Sequence, residues 1–249
     1  MAKMNSIKKI QGYEFGAQDG NLGRCKDFLF DERNWAVRYI VCDTHRWLPG
    51  RKVLVSPISI GTVEDSKELL SVGLTKEQVK NSPALESHAP VSRAYEIIFN
   101  RYYDWGNYWD GPLVWGNYQF PRLLVRNEEL QAEVAAVEDD NHLRSTREVL
   151  SYSIQAKDRS IGHVEDFIVD EDSWIIRYLI IDTSNWLSGS RKVIIAPEWV
   201  ESFKWEDGSV VVCVSAEQIE KSPEYDPSVT LDREYETVLY DFYGLPHYW

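Results

Sequence analysis

The chain has 249 residues, with forty acidic side chains against twenty-seven basic ones and a formal charge of −13. That length allows two domains, each with its own core. The charge balance would repel a phosphate backbone unless the few cations clustered, so nucleic-acid binding is disfavoured.

Three cysteines, Cys25, Cys42 and Cys213, form an odd number without C-x-x-C spacing, and the start MAKMNSIKKIQ lacks the apolar core of a signal peptide. A reducing, cytoplasmic compartment is the expectation. No apolar run reaches the roughly 18 to 20 residues of a membrane helix, so any place at a membrane would be peripheral and through a partner.

Taken in chain order, a first strand is expected at Lys8 to Phe15, followed by a hairpin with Glu32-Arg33 as a two-residue turn. In that register Phe30 faces Trp35, Phe28 faces Val37, and Asp27 faces Arg38 across the ladder. Further strands are expected at Lys52 to Ser56, Ile58 to Asp65 and Leu69 to Val72. Thr75 then caps a short helix that stops near Pro83. A second helix runs from Arg93 to Tyr103, with Tyr95, Ile98 and Tyr102 at helical spacing for packing on the strands.

The same elements then recur. NLGRCKDFLFDERNWAVRYIVCDTHRWLPG, from Asn21, aligns without a gap on SIGHVEDFIVDEDSWIIRYLIIDTSNWLSG, from Ser160, at an offset of 139. One inserted residue, Ser190, moves the offset to 140, after which Arg51 answers Arg191, Thr75 answers Ser215, Arg93 and Glu96 answer Arg233 and Glu236, and Tyr108-Trp109 answers Tyr248-Trp249. Two copies of a unit of this size are tandem domains, since a solenoid stacks more copies of a shorter unit. The expected division is 1–109, an acidic and partly helical linker over 110–146 with helix from Glu128 to Val137, and 147–249. In the second copy the hairpin register places Val169 opposite Trp174, Phe167 opposite Ile176 and Asp166 opposite Arg177.

Three recurring motifs carry a resemblance. G-x-[CV]-[KE]-D-F begins at Gly23 and Gly162, W-x-[VI]-R-Y-x-[VI]-x-D-T begins at Trp35 and Trp174, and W-L-x-G is followed by R-K-V in both copies. In order and spacing they resemble the PRC-barrel family, named for the cytoplasmic part of the photosynthetic reaction centre H subunit. The resemblance implies a mostly β chain of two tandem six-stranded barrels, each followed by short helices and used for docking onto other macromolecules. It brings no catalytic residues. On this sequence neither the H subunit's N-terminal membrane helix nor the N-terminal domain of the ribosome maturation factor that carries a related barrel is expected.

The residues themselves point away from chemistry. Asp27 with Arg38, and Asp166 with Arg177, read as structural cross-strand pairs that fix register. Asp43-Thr44 and Asp182-Thr183 read as local turn caps. The histidines His45, His88, His142, His163 and His247 have no ligand spacing, so no metal and no cofactor is expected. Neither a nucleophile motif nor a phosphate loop occurs.

Aromatic residues crowd the two tails, and Tyr102, Tyr103, Trp105, Tyr108, Trp109, Trp115, Tyr243, Tyr248 and Trp249 form the candidate interface. The functional expectation is a noncatalytic protein-binding or scaffold protein, homodimeric or docked on a protein complex. An accessory factor of a membrane electron-transfer complex is the alternative, and an enzyme with a site between the barrels the third reading.

Overall fold

A computed structural model of the chain describes residues 3–44, 47–49, 51–86, 89–124, 142–184, 191–228 and 231–249. The expected helix at Glu128 to Val137 lies outside these residues, as do His45, His88 and Trp186. By its contacts the chain forms two compact units. One comprises Met1–Lys8, Thr146–Asp170 and Ile176–Trp249, and the other Lys9–Ser145 and Glu171–Ile175.

The described elements run β1 (Met4–Ser6), α1 (Ile7–Ile10), β2 (Glu14–Ala17), β3 (Gly20–Asp31), β4 (Ala36–Asp43), β5 (Val53–Val55), β6 (Ile60–Glu64), β7 (Leu69–Val72), α2 (Lys76–Asn81) and α3 (Arg93–Tyr103). The second half repeats them as β8 (Leu143–Ser145), α4 (Thr146–Val149), β9 (Ser153–Gln155), β10 (Ser160–Asp170), β11 (Ile176–Asp182), β12 (Lys192–Ile195), β13 (Val200–Lys204), β14 (Ser209–Val212), α5 (Ala216–Lys221) and α6 (Arg233–Tyr243). Strand order is β5-β4-β3-β2-β7-β6 in the first repeat and β12-β11-β10-β9-β14-β13 in the second. Each is a curled, barrel-like sheet completed by a seventh strand. Along the long strands Leu22, Cys25, Phe28 and Phe30 on β3 and Ile161, Val164, Phe167 and Val169 on β10 are buried, a spacing of three, three and two set by bulges that interrupt the alternation. Their burial against the facing strands is the main favourable term in each barrel.

The seventh strand comes from the other end of the repeat pattern. β8 pairs with β3, Leu29 opposite Ser145, while its counterpart β1 pairs with β10, Ser6 opposite Ile168. The two repeats therefore exchange their leading strands, and the compact units cut across the sequence division at both ends. Asp27 and Asp166 fasten the exchange. The Ser145 hydroxyl donates to Asp27 Oδ2 at 2.5 Å, and the Ser6 hydroxyl donates to Asp166 Oδ2. Asp166 Oδ1 also accepts the amides of Lys8 at 3.0 Å and Phe167 at 2.7 Å. Burial nevertheless raises the Asp166 carboxyl above its ordinary range.

The hairpin register differs from the expected one. Asp27 stands opposite Val41 rather than Arg38, Phe28 opposite Ile40, and Phe30 opposite Val37 rather than Trp35. In the second repeat Asp166 stands opposite Ile180 rather than Arg177, Phe167 opposite Leu179, and Val169 opposite Ile176. A longer turn, together with a bulge between Leu29 and Phe30 and its counterpart between Ile168 and Val169, is the reason. Asp31 accepts the Arg33 amide at 2.9 Å and the Asn34 side chain at 2.9 Å, an Asx turn that widens the connection beyond two residues. Trp35 and Trp174 close it in the left-handed region, at φ 54° and 56°. The expected pairs Asp27–Arg38 and Asp166–Arg177 are thus replaced: Arg38 meets Asp31 at 3.1 Å and Arg177 meets Asp170 at 3.4 Å.

The first expected strand is also shorter, because α1 takes Ile7–Ile10 and pairing starts only at Glu14. Other expectations hold. Thr75 with Gln78 and Ser215 with Gln218 form capping boxes at α2 and α5, and α3 and α6 have the expected spans. Arg51 and Arg191 explain the repeated R-K-V. The Arg51 guanidinium donates to the carbonyls of Lys80 and Ser82, both at 2.6 Å, and Arg191 to those of Glu220 at 2.7 Å and Ser222 at 2.6 Å. Gly23 and Gly162 are required by close approach: at φ +142° and +72°, a Cβ would lie 2.0 Å from the Asp43 carbonyl oxygen and 2.4 Å from that of Asp182.

Deleting Met1–Ser6 removes β1 and the Ser6 contact to Asp166. Amide exchange over Ile168–Asp170 should then accelerate by roughly tenfold or more, while Leu29–Asp31, paired with β8, keeps its protection. Hydrogen-exchange mass spectrometry reads both segments in one experiment.

Candidate functional site

Each barrel carries one helix whose inner face ends on a buried carboxylate. In the first repeat Ser92 caps α3 through the Tyr95 amide, and Asp104 terminates it in the left-handed region. Glu96 then points inward and is fully buried, with Phe99, Asn100 and Tyr103 beside it on the same side. A carboxylate placed there needs partners. The Tyr108 hydroxyl donates to Glu96 Oε1 at 2.9 Å, Tyr39 also bonds this carboxylate, and the Arg93 guanidinium lies 2.9 Å from Oε2. His142 closes the group, with Nε2 at 2.7 Å from the Tyr108 oxygen and 3.6 Å from Glu96. Burial pushes the Glu96 carboxyl up to about 7 against the pull of Arg93 and its tyrosine hydrogen bonds.

The Tyr108 ring is held between two guanidinium groups, Arg38 at 3.8 Å and Arg93 at 5.2 Å from its centroid. Arg38 is itself buried and donates to the Val114 carbonyl at 2.5 Å and to Asp31. Burial opposes ionisation of Asp31, yet the Arg38 charge and hydrogen bonds from Asn34 and the Arg33 amide hold its carboxyl below the usual range. Trp115 is fully buried and donates its indole N–H to the Ser173 carbonyl at 2.7 Å.

The second repeat rebuilds this arrangement from equivalent residues. Asp232 caps α6 through the Tyr235 amide at 2.9 Å, and buried Glu236 accepts the hydroxyls of Tyr178 at 2.7 Å and Tyr248 at 2.8 Å. Arg233 lies 3.0 Å from Glu236, and Arg177 stacks 4.6 Å from the Tyr248 ring. A charge-assisted network made twice from the same residue types is what holds tail, helix and strand together in each unit.

This geometry sorts the expected interface residues. Tyr108, Trp115 and Tyr243 are buried within their own unit, and Tyr248 is partly buried on Glu236, so they close the barrels and are not interface surface. Tyr103 and Trp105 stack at 4.6 Å against the first-repeat core, and Trp109 covers Arg93 at 3.9 Å. Tyr102 and Trp249 remain exposed, at 40% and 45%. The expected packing face of α3 is also corrected. Ile98 and Tyr102 point away from the barrel because the need to satisfy Glu96 turns Phe99 and Asn100 inward.

The outward side is apolar in both copies. Ile98 is 55% exposed and its counterpart Val238 52%, while Phe242, the counterpart of Tyr102, is 39% exposed. Tyr102 is pinned, its hydroxyl donating to the Gln78 carbonyl at 2.8 Å. Sequence reasoning paired Glu96 with Glu236 but not their role. A Glu amid the aromatic positions of both helices was the available signal.

A duplicated curled β-sheet with a helix and aromatic tail closed over a buried carboxylate defines a small barrel domain. Among the described residues no group of three or more His, Cys, Asp or Glu side chains could hold a metal ion. Residues 146–219 match the family model of the PRC-barrel domain. The match covers the barrel strands of the second repeat from β9 to β14, and the first repeat shares their strand order. Such barrels serve in general as protein-interaction and scaffold domains, and the family is generally noncatalytic. A search of curated proteins returns no match.

Two measurements probe the networks. The folded-state value of Glu96 lies above its ordinary 4.5, so its contribution to stability is complete below about 4.5 and is lost as pH rises through about 7. The urea midpoint should fall between pH 5 and 8 on this account, and Glu96→Gln should flatten that fall. Tyr178→Phe removes a hydroxyl from buried Glu236 and should cost about 1 to 3 kcal/mol in urea unfolding at pH 7.

Proposed function

We propose that this chain is a noncatalytic protein-binding scaffold that docks through the outward faces of α3 and α6. The observation that carries this reading is the paired exposure of Ile98 with Tyr102 and of Val238 with Phe242 at equivalent positions of the two repeats. Isolated surface apolar residues need no explanation. Here each pair is spaced i, i+4 on one helix, which makes a continuous stripe of the kind that seats in a partner's groove. The opposite face of each helix is committed to the buried carboxylate, so the stripe is presented in a fixed orientation. Binding to such a surface loses little conformational entropy.

No helix among the described residues is long and apolar enough to cross a membrane. A membrane-bound complex is one partner such a scaffold would serve, and it would hold the chain through protein contacts.

Site-specific photo-crosslinking in the native cell tests the reading. A photoreactive residue at Ile98 or Val238 should trap discrete protein adducts, whereas one at exposed Lys204 on β13 should not. Equal yields at all three positions, or none at Ile98 and Val238, would overturn it.

A further inference from the structure

The two helix stripes are alike in apolar residues but opposite in charge. On α3 the exposed positions are Ala94, Ile98, Arg101 and Tyr102, and on α6 the equivalent ones are Glu234, Val238, Asp241 and Phe242, with Arg233 also exposed but committed to its ion pair with Glu236. Arg101 and Asp241 therefore occupy the same place beside the same apolar pair. His247 reaches Asp241 at 3.2 Å, yet the aspartate side chain stays 69% exposed.

We infer that the occupant of these stripes is a second copy of this chain, with α3 of one molecule laid on α6 of the other. This rests on the docking reading above and names its partner.

Charge selects the pairing. Two α3 faces would bring Arg101 against Arg101, and two α6 faces would bring Asp241 and Glu234 against their own kind, both unfavourable in a desolvated contact. The mixed pairing sets Arg101 against the acidic edge and stacks Ile98 and Tyr102 on Val238 and Phe242. It also explains how chains of charge −13 approach one another. The cation needed at the contact is supplied by α3. A single helix stripe is a small interface, in the class of weak and reversible contacts. Because the two surfaces differ, the contact is heterologous unless it is made twice about a twofold axis.

Sedimentation velocity on the full chain at roughly 50 µM, a concentration suited to weak contacts, tests this. The wild type should contain species heavier than the 28.9 kDa monomer, and these should diminish in high salt. Arg101→Asp alone and Asp241→Arg alone should each sediment as monomer. Mixing the two variants should restore association, since each then offers the charge the other needs. Far-ultraviolet circular dichroism establishes that both variants are folded.

A monomeric wild type, singly substituted chains that associate like the wild type, or a mixture that stays monomeric would each overturn the inference. If Ile98 and Val238 still cross-link to a different protein while the chain sediments as monomer, the docking reading survives and only self-association fails. Absence of adducts in cells together with a monomeric chain would remove both.

Discussion

A carboxylate buried on the inner face of a helix governs each half of this protein. Glu96 and Glu236 sit where water cannot reach them, and an unpaired charge there would cost far more than any single apolar contact returns. Each must therefore be met by an arginine one turn earlier on its own helix, a tyrosine from the barrel strand and a tyrosine from the tail. Three separate segments are tied at one point. The rotation of α3 and α6 about their axes follows from that point, and so does the identity of the residues left facing outward.

The same constraint explains the aromatic tails. Their density suggests a sticky surface, but most of it is consumed in satisfying or covering charge: Tyr108 lies between Arg38 and Arg93, and Trp109 over Arg93. Guanidinium groups stacked on aromatic faces give up little hydration and keep their donors for carboxylates. What remains exposed is a short apolar stripe on each helix.

A second set of carboxylates solves a different problem. Asp27 and Asp166 lie on the long strands at the place where an incoming strand from elsewhere in the chain pairs, and each accepts a hydroxyl from that strand's serine. An edge left open at β3 or β10 would be a template for promiscuous pairing. Pairing with the incoming strand removes that open edge within each unit.

The sequence by itself determined the duplication, the resemblance of its motifs to a barrel family, the spans of α3 and α6, and the caps of α2 and α5, because these are written in local spacing: Ser or Thr before Gln, proline after the last turn, large apolar residues at helical intervals. It also marked the shared residues Asp27, Arg38, Trp35 and Glu96. Tertiary structure alone decided what each of them meets. An Asx turn at Asp31 lengthened the hairpin and moved Arg38 off Asp27, the leading strands crossed to the other repeat, and the buried glutamates turned Ile98 and Tyr102 outward. Local pattern fixes which residues are paired or buried only when the partner is close in sequence. Here the decisive partners are Ser145 for Asp27, Ser6 for Asp166 and His142 beside Glu96, separated along the chain and brought together only by the closed fold.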